Sequence, residues 1–370
     1  MGVDQGHGGA HVRGVNLGNW LVLEKWMGDS PLSAAQAEDD RAWVDELPLD
    51  ERTRQLGAHW RSYVTRQTFS WLAHVGATMV RIPVPYHLFG SPHHAACVRY
   101  LDNAFDWAEQ YGLGILVDLH TVPYSQNGFD NGGYTALCEW SRDQGRIDKT
   151  VDLLEDVAIR YVGRPALWGI EPLNEPASKR VYFANRAKNR AYPDRVEASQ
   201  PASHKTIERF YQQFYDRVRP IVGPDVKLVF HDRFSLRSWD RFDPGHGDPN
   251  VWLDTHQYAV FADGLLRRRN LNSYLALVDR MAVRVQKASK YHPVLVGEWS
   301  LANHARDLEG LSEAQTREWY RAFSDAQLEA WDRGGAGSCF WSVRVGAENR
   351  ENWCFTTCVQ RGWISFAAHR

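Results

Sequence analysis

Two short apolar runs each end in a glutamate, Trp168-Gly169-Ile170-Glu171-Pro172-Leu173-Asn174-Glu175-Pro176 and Val294-Leu295-Val296-Gly297-Glu298-Trp299-Ser300. A carboxylate at the C-terminal end of a buried strand sits in poor solvent, which raises its pKa or leaves it a desolvated nucleophile. Two such strand ends, far apart in the chain, are expected to meet if the strands belong to one closed parallel barrel. Paired carboxylates are the machinery for cleaving a glycosidic bond. Asn174 can donate an amide hydrogen bond into the same pocket, and Pro176 turns the chain outward. Gly297, before Glu298, is expected to let a ligand approach the backbone closely. Glu171 competes with Glu175: strand alternation puts both on one face, with Glu171 deeper in the run. On residue types alone the lesser alternative is that these acids are structural ion-pair partners.

The elements that would position such a pair are legible as apolar runs of strand length. They are His11–Asn16, Met79–Ile82, Gly114–Leu119, Trp168–Leu173, Lys227–Phe230, Val251–Thr255, Val294–Gly297 and Gly337–Trp341. They are continuous rather than alternating, as strands covered on both faces should be. Between them lie stretches with helical spacing: Leu101–Tyr111, Thr150–Tyr161, Ile207–Ile221, Ser273–Tyr291 and Glu313–Arg333. This order predicts an α/β fold, a single (β/α)8 TIM barrel over residues 1–370 with elaborated loops on its C-terminal face. Two long connections, Glu24–Gln55 and Ala177–His204, would lie on that face and are expected to wall a substrate site.

Composition narrows the partners. The net charge is −2, with 43 Lys and Arg against 45 Asp and Glu, so nucleic acid is not an expected partner. No apolar stretch approaches the roughly 18 residues of a membrane span, so no membrane partner is expected. Aromatic residues are abundant, with Trp 16, Tyr 15 and Phe 15, tryptophan at roughly three times its usual frequency. Sugar rings stack on such faces, although large aromatics also fill large cores. Five cysteines without a Cys-x-x-Cys pair indicate neither a disulfide framework nor a zinc site. The start, Met1-Gly2-Val3-Asp4-Gln5-Gly6-His7, has no apolar signal core and no Ser or Thr for myristoylation, and a cytoplasmic setting is expected. His93-His94 has no third ligand at metal spacing, Arg267-Arg268-Arg269 is expected to be a solvated rim, and no phosphate loop occurs. No metal and no cofactor are expected. Nothing in the chain speaks to oligomeric state.

The chain resembles glycoside hydrolase family 5, in the branch of exo-β-1,3-glucanases and related exo-β-glycosidases. The matching stretches are Arg13-Gly14-Val15-Asn16-Leu17-Gly18-Asn19-Trp20-Leu21-Val22-Leu23-Glu24, Val80-Arg81-Ile82-Pro83, Val117-Asp118-Leu119-His120 and Ser125-Gln126-Asn127-Gly128-Phe129-Asp130-Asn131. They continue with Leu173-Asn174-Glu175-Pro176, Asp254-Thr255-His256-Gln257-Tyr258, Gly297-Glu298-Trp299-Ser300 and Phe340-Trp341-Ser342. They run in family order across nearly the whole chain.

The resemblance implies that Glu175 is the general acid/base and Glu298 the nucleophile of a retaining double displacement. It also implies that Arg81 and Tyr258 contact Glu298, that His256 lies near Glu175, and that Asn174 binds the sugar 2-hydroxyl. His120 and Trp341 would line the glycone pocket, with a cis peptide at Trp341–Ser342, and Glu24, Asp130 and Asn131 would grip hydroxyls at the non-reducing end. Trp299, Trp353, Tyr124 and Phe261 are either stacking walls or core. Departures from the exo-glucanase pattern are Asn19 for a glycine, Lys25 for a proline, Thr121-Val122-Pro123-Tyr124 for a Gly-rich turn, and Gln257 for a histidine. They lean the expected substrate towards a short oligosaccharide, cleaved by a β-mannosidase or β-glucosidase. An exo-β-1,3-glucanase, an endo-glucanase and a silent carbohydrate-binding barrel are the alternatives.

Overall fold

The computed structural model describes residues 11–184 and 190–367. The start Met1–His7 and positions 185–189 of the Ala177–His204 connection therefore lie outside the described residues. Eight parallel strands, β1 (Val12–Asn16), β2 (Met79–Val84), β3 (Gly114–Leu119), β4 (Leu167–Glu171), β5 (Lys227–His231), β6 (Val251–His256), β7 (Val294–Trp299) and β8 (Gly337–Phe340), close into a barrel in sequence order, with β8 paired back to β1. The expected strands all form, Gly114–Leu119 with the expected bounds and the others with ends shifted by at most two residues.

The strands' outward side chains, among them Val80, Ile82, Val117, Ile170, Phe230, Leu253 and Val296, join one large apolar cluster with the surrounding helices. Those helices include Val98–Tyr111, Gln144–Tyr161, His204–Val222, Leu271–Ala288 and Glu313–Gly334. Each buries residues at helical spacing, as Tyr100, Leu101, Ala104, Phe105 and Ala108 do in the first. Ser203, Asn270 and Ser312 cap their N-termini through side-chain oxygens. β5 and β6 are joined without a helix: a 3-10 turn, Leu236–Trp239, covers the barrel there. Trp239 fills the gap, packing on Tyr211 and Phe242.

Inside the barrel the character of the side chains changes along the axis. Near the N-terminal end Val12, Met79, Leu116, Val229, Leu295 and Cys339 form a small apolar plug. Two residues further along the same strands, the same inward face, stand Arg81, Asp118 and His231, all wholly buried. An apolar floor thus carries a charged layer at the C-terminal mouth, the end where barrels of this kind do chemistry. The expected long loop Glu24–Gln55 is largely helical, with short helices Pro31–Ala34 and Asp40–Glu46 and the start of Leu49–Tyr63. None of the helices among the described residues is long and apolar enough to cross a membrane.

Candidate active site

Glu298 is the penultimate residue of β7 and is buried. Its Oε1 accepts from Arg81 Nη1 at 3.0 Å and its Oε2 from the Tyr258 hydroxyl at 2.7 Å. Burial pushes its pKa above the usual carboxylate range; His256 and Arg81 oppose that push and Glu175 adds to it.

Glu175 reaches the site differently from expectation. β4 ends at Glu171, and Glu175 lies four residues on, in the left-handed region at φ 46°. Alternation therefore does not relate Glu171 to Glu175. Pro172 brings no N–H to a ladder, and the turn is held instead by Asn174 N–H donating to Leu119 O at 3.0 Å and Gln126 Nε2 donating to Asn174 O at 2.8 Å. Glu175 Oε1 lies 2.7 Å from His256 Nδ1, and Oε2 accepts from Asn131 Nδ2 at 2.9 Å. Burial would raise its pKa, but the hydrogen bond and charge of His256 outweigh burial and bring the carboxyl down to about 2. His256 moves the other way. Burial disfavours its charge, yet Glu298, Asp254 and the bond to Glu175 carry its pKa well above the usual imidazole range.

His256 Nδ1 also lies 3.3 Å from Glu298 Oε2. The two contacts, 2.7 Å and 3.3 Å, share one nitrogen, so the Glu175 and Glu298 oxygens involved cannot be farther apart than their total, 6.0 Å. The acids expected to meet do meet.

Beneath them Arg81 is saturated. Besides Glu298 it donates to Glu171 (2.8 Å), Asn16 Oδ1 (3.1 Å) and Asn174 Oδ1 (2.9 Å), and it lies 3.2 Å from Asp118. Glu171 is thus the deep ion-pair partner of Arg81, and burial drives its pKa up. With Asn174 Oδ1 held by Arg81, the Asn174 amide nitrogen turns away, 3.4 Å from His120 Nε2. His120 Nδ1 pairs with Asp118 at 2.6 Å, and its ring stacks on Trp341 at 5.7 Å. The Trp341–Ser342 peptide is cis, as expected. Gly18 makes room for this indole: a Cβ there would stand 2.7 Å from the Trp341 ring.

On the far wall Glu24 is buried, and burial followed by the charge of Asp130 raises its pKa well above the usual range. Trp26 Nε1 donates to Glu24 Oε2 at 2.7 Å, and Trp26 meets Trp353 edge-on at 5.2 Å. Trp353 in turn packs on Tyr258. Asn19 explains its own departure from glycine: it adopts φ 60°, and its side chain binds both Glu24 N–H and Gly28 O.

Several expectations are corrected. The group that needs Gly297 to lack a Cβ is the Asp254 carboxylate, which occupies the space expected for a ligand and accepts the Gly297 N–H at 2.7 Å. Asn131 contacts the Glu175 carboxylate, a partner that the expected place at the non-reducing end did not give it. Trp299 is wholly buried and is core, whereas Phe261 is 77% exposed beside Tyr258 and Trp353. His93 and His94 do not act as a pair. His94 stacks on His87 at 4.0 Å, and both face Asp40. Asp40 and His87 are the partners that His93-His94 was expected to lack: one ligand atom from each of Asp40, His87 and His94 lies within 4.8 Å of the others.

Sequence reasoning missed His231 as a site residue, and placed Asn16, Asp118 and Asp254 only within matching stretches. A signal for the two acids exists: Asp118-Leu119-His120 and Asp254-Thr255-His256 both place an acid two positions before an imidazole, on one strand face. The acid pairs with the ring in each case.

A buried carboxylate held by Arg81 and Tyr258, a second carboxylate 2.7 Å from an imidazole nitrogen, and an aromatic floor form an arrangement able to protonate a leaving oxygen while attacking carbon from the other side. The family description Cellulase (glycosyl hydrolase family 5) matches residues 44–345. The chain is 32% identical over 393 residues to Probable glucan 1,3-beta-glucosidase A of Aspergillus terreus, covering 96% of this chain and 88% of that protein. It is 29% identical over 406 residues to Glucan 1,3-beta-glucosidase of Yarrowia lipolytica, covering 97% and 90%. A crystal structure of rutinosidase from Aspergillus niger shares the fold at TM-score 0.77 and 21% identity, covering 95% of this chain and 97% of that one. The matched stretch takes in most of the chain and all strands but β1, and the protein belongs to glycosyl hydrolase family 5.

Proposed function

We propose that this protein is a retaining exo-β-glycosidase that releases a terminal β-D-glucosyl unit from short β-1,3-linked oligosaccharides. The observation that carries the reading is the position of His256 Nδ1 between Glu175 and Glu298, which keeps the facing oxygens within 6.0 Å. Carboxyl groups of retaining enzymes stand about 5–5.5 Å apart, and those of inverting enzymes roughly 6.5–9.5 Å. Glu298 attacks the anomeric carbon, held as a carboxylate by Arg81 and Tyr258. The leaving oxygen takes its proton from Glu175, which then deprotonates the water that hydrolyses the glycosyl-enzyme. Asn174, its oxygen clamped by Arg81, offers its N–H bonds to the 2-hydroxyl. His120 and Trp341 line the glycone.

Exo action is read from Glu24, which Trp26 bonds and on which the charge of Asp130 acts. Of the two expected glycones, β-mannoside and β-glucoside, the glucoside is preferred because the relatives above are called glucan 1,3-beta-glucosidases. A reducing, cytoplasmic setting belongs to the same reading, supported by five cysteines that are all unpaired and buried.

The test is turnover of p-nitrophenyl β-D-glucoside, β-D-mannoside and β-D-xyloside and of short β-1,3-linked glucose oligomers, with the first product followed by proton NMR. Glucose appearing first as the β-anomer from chain ends supports the reading. An initial α-anomer, or oligomers cut internally, overturns it.

A further inference from the structure

The histidine between the two catalytic acids is held at both ends. His256 Nδ1 lies 2.7 Å from Glu175 Oε1, and Nε2 lies 3.2 Å from Asp254 Oδ2. With Glu175 and Asp254 both ionised, a neutral imidazole, having one N–H, would set a lone pair against a carboxylate at one of these contacts; only the cation donates at both. The other oxygen of Asp254 accepts the Gly297 N–H at 2.7 Å, in the space a Cβ at 297 would need. Asp254 is wholly buried and joins the residue before the nucleophile to the histidine beside the acid/base.

We propose that Asp254 is a positioning residue for proton transfer: seated on Gly297, it fixes His256 as a doubly donating cation, so that the proton the leaving oxygen needs is stored at His256 Nδ1 against Glu175. This rests on the glycosidase reading above. In the first step the proton passes from His256 Nδ1 to Glu175 and on to the leaving oxygen as the C–O bond breaks and the Glu298 ester forms. His256 is left neutral and Glu175 a carboxylate. In the second step water gives its hydroxyl to the anomeric carbon and its proton through Glu175 back to His256, and Glu298 leaves as a carboxylate.

The other groups around His256 fit this storage role. Glu171 and Glu175 face it from β4 and the turn beyond, and Glu298 from β7. His231 and Asp232 face it from the end of β5, and Arg81 on β2 lies 3.8 Å from Asp254. His231 does not compete for the proton. Burial and its neighbour His256 hold its pKa at about 3, and its Nδ1 accepts the Arg233 N–H at 3.0 Å. Loss of the proton from the His256–Glu175 pair then sets the alkaline limit of catalysis for leaving groups that require protonation.

The experiment compares wild type with Asp254→Asn on phenyl β-D-glucoside, whose leaving group needs a proton, and on 2,4-dinitrophenyl β-D-glucoside, whose leaving group does not. Asparagine is isosteric and can still accept the Gly297 N–H, but it turns an uncharged amide to His256. The alkaline limb of kcat/KM for the phenyl glycoside is expected to move down by about one pH unit or more, with the dinitrophenyl profile unmoved at high pH. An unmoved limb, or an equal loss on both substrates at every pH, overturns the inference. If Asp254→Asn does not fold, histidine 13Cε1 NMR of the wild type decides: the resonance lost in His256→Asn should report a cation at pH 8, and a neutral ring there overturns the proposal. Wild type that cleaves neither glycoside defeats the glycosidase reading itself, whereas cleavage of both with an unshifted limb defeats this inference alone.

Discussion

Arg81 Nη1 lies 3.0 Å from Glu298 Oε1, and the same nitrogen donates to Asn16 at 3.1 Å, so the cation beside Glu298 is fixed from two directions. The remaining N–H bonds of Arg81 go to Glu171, Asn174 and Asp118. Arg81→Lys keeps the charge but cannot reproduce this planar set of contacts. Its kcat/KM should fall by about 10²–10³, the loss typical of removing a fixed electrostatic donor. Steady-state kinetics on an aryl β-glucoside checks this, with circular dichroism confirming the fold.

Tyr258 donates to Glu298 Oε2 at 2.7 Å and so favours the charged nucleophile. Tyr258→Phe removes that preference and raises a Glu298 pKa that burial already lifts. Glu298 must be ionised to attack, so activity is lost as pH falls through its pKa, and the acid limb should move to higher pH. The pH profile of kcat/KM checks the direction; a limb displaced to lower pH contradicts it.

Removal of either acid should give a distinct stereochemical signature. Glu175→Ala leaves Glu298 able to form the ester from 2,4-dinitrophenyl β-D-glucoside, and added azide should collect the sugar as the β-azide. Glu298→Ala with azide should give the α-azide from one inversion. NMR of the products distinguishes them. The same anomer from both variants would remove the assignment of roles.

Trp26→Phe should preserve the edge-on contact with Trp353 and lose only the indole N–H bond to Glu24. A hydrogen bond to a carboxyl group in such a site contributes about 1.5 kcal/mol or more. The expected result is a rise in KM of about 10-fold with kcat little changed, read from saturation curves on p-nitrophenyl β-D-glucoside. A fall in kcat at constant KM would place Trp26 in the reaction step instead.

The barrel was legible because fully covered strands read as apolar runs, and Gly114–Leu119 was bounded to the residue. Glu175 shows the limit of that pattern. The run through Leu173 looks like strand, but the ladder stops at Glu171 and tertiary hydrogen bonds from Gln126 and to Leu119 set the left-handed turn. Those contacts come from a loop and a strand distant in sequence, and no local propensity encodes them. The inward acids Asp118 and Asp254 were obscure for a related reason: a strand covered on both faces gives no alternation to say which side is the interior. Their spacing to His120 and His256 was the available clue. The link between β5 and β6, where Trp239 stands in for a helix, shows no periodicity to read at all.

The charged layer above the apolar plug holds Glu171, Asp118, Asp254, Glu298 and Glu175, facing the guanidinium of Arg81 and the imidazole of His256. Acids outnumber bases in that layer. The surplus makes the mouth of the barrel a cation trap before any sugar arrives, one that grips a flattening, positively charged pyranose more firmly than the relaxed chair. A sugar mimic with a protonated ring nitrogen would profit from the same surplus, and a neutral lactone of similar shape would not.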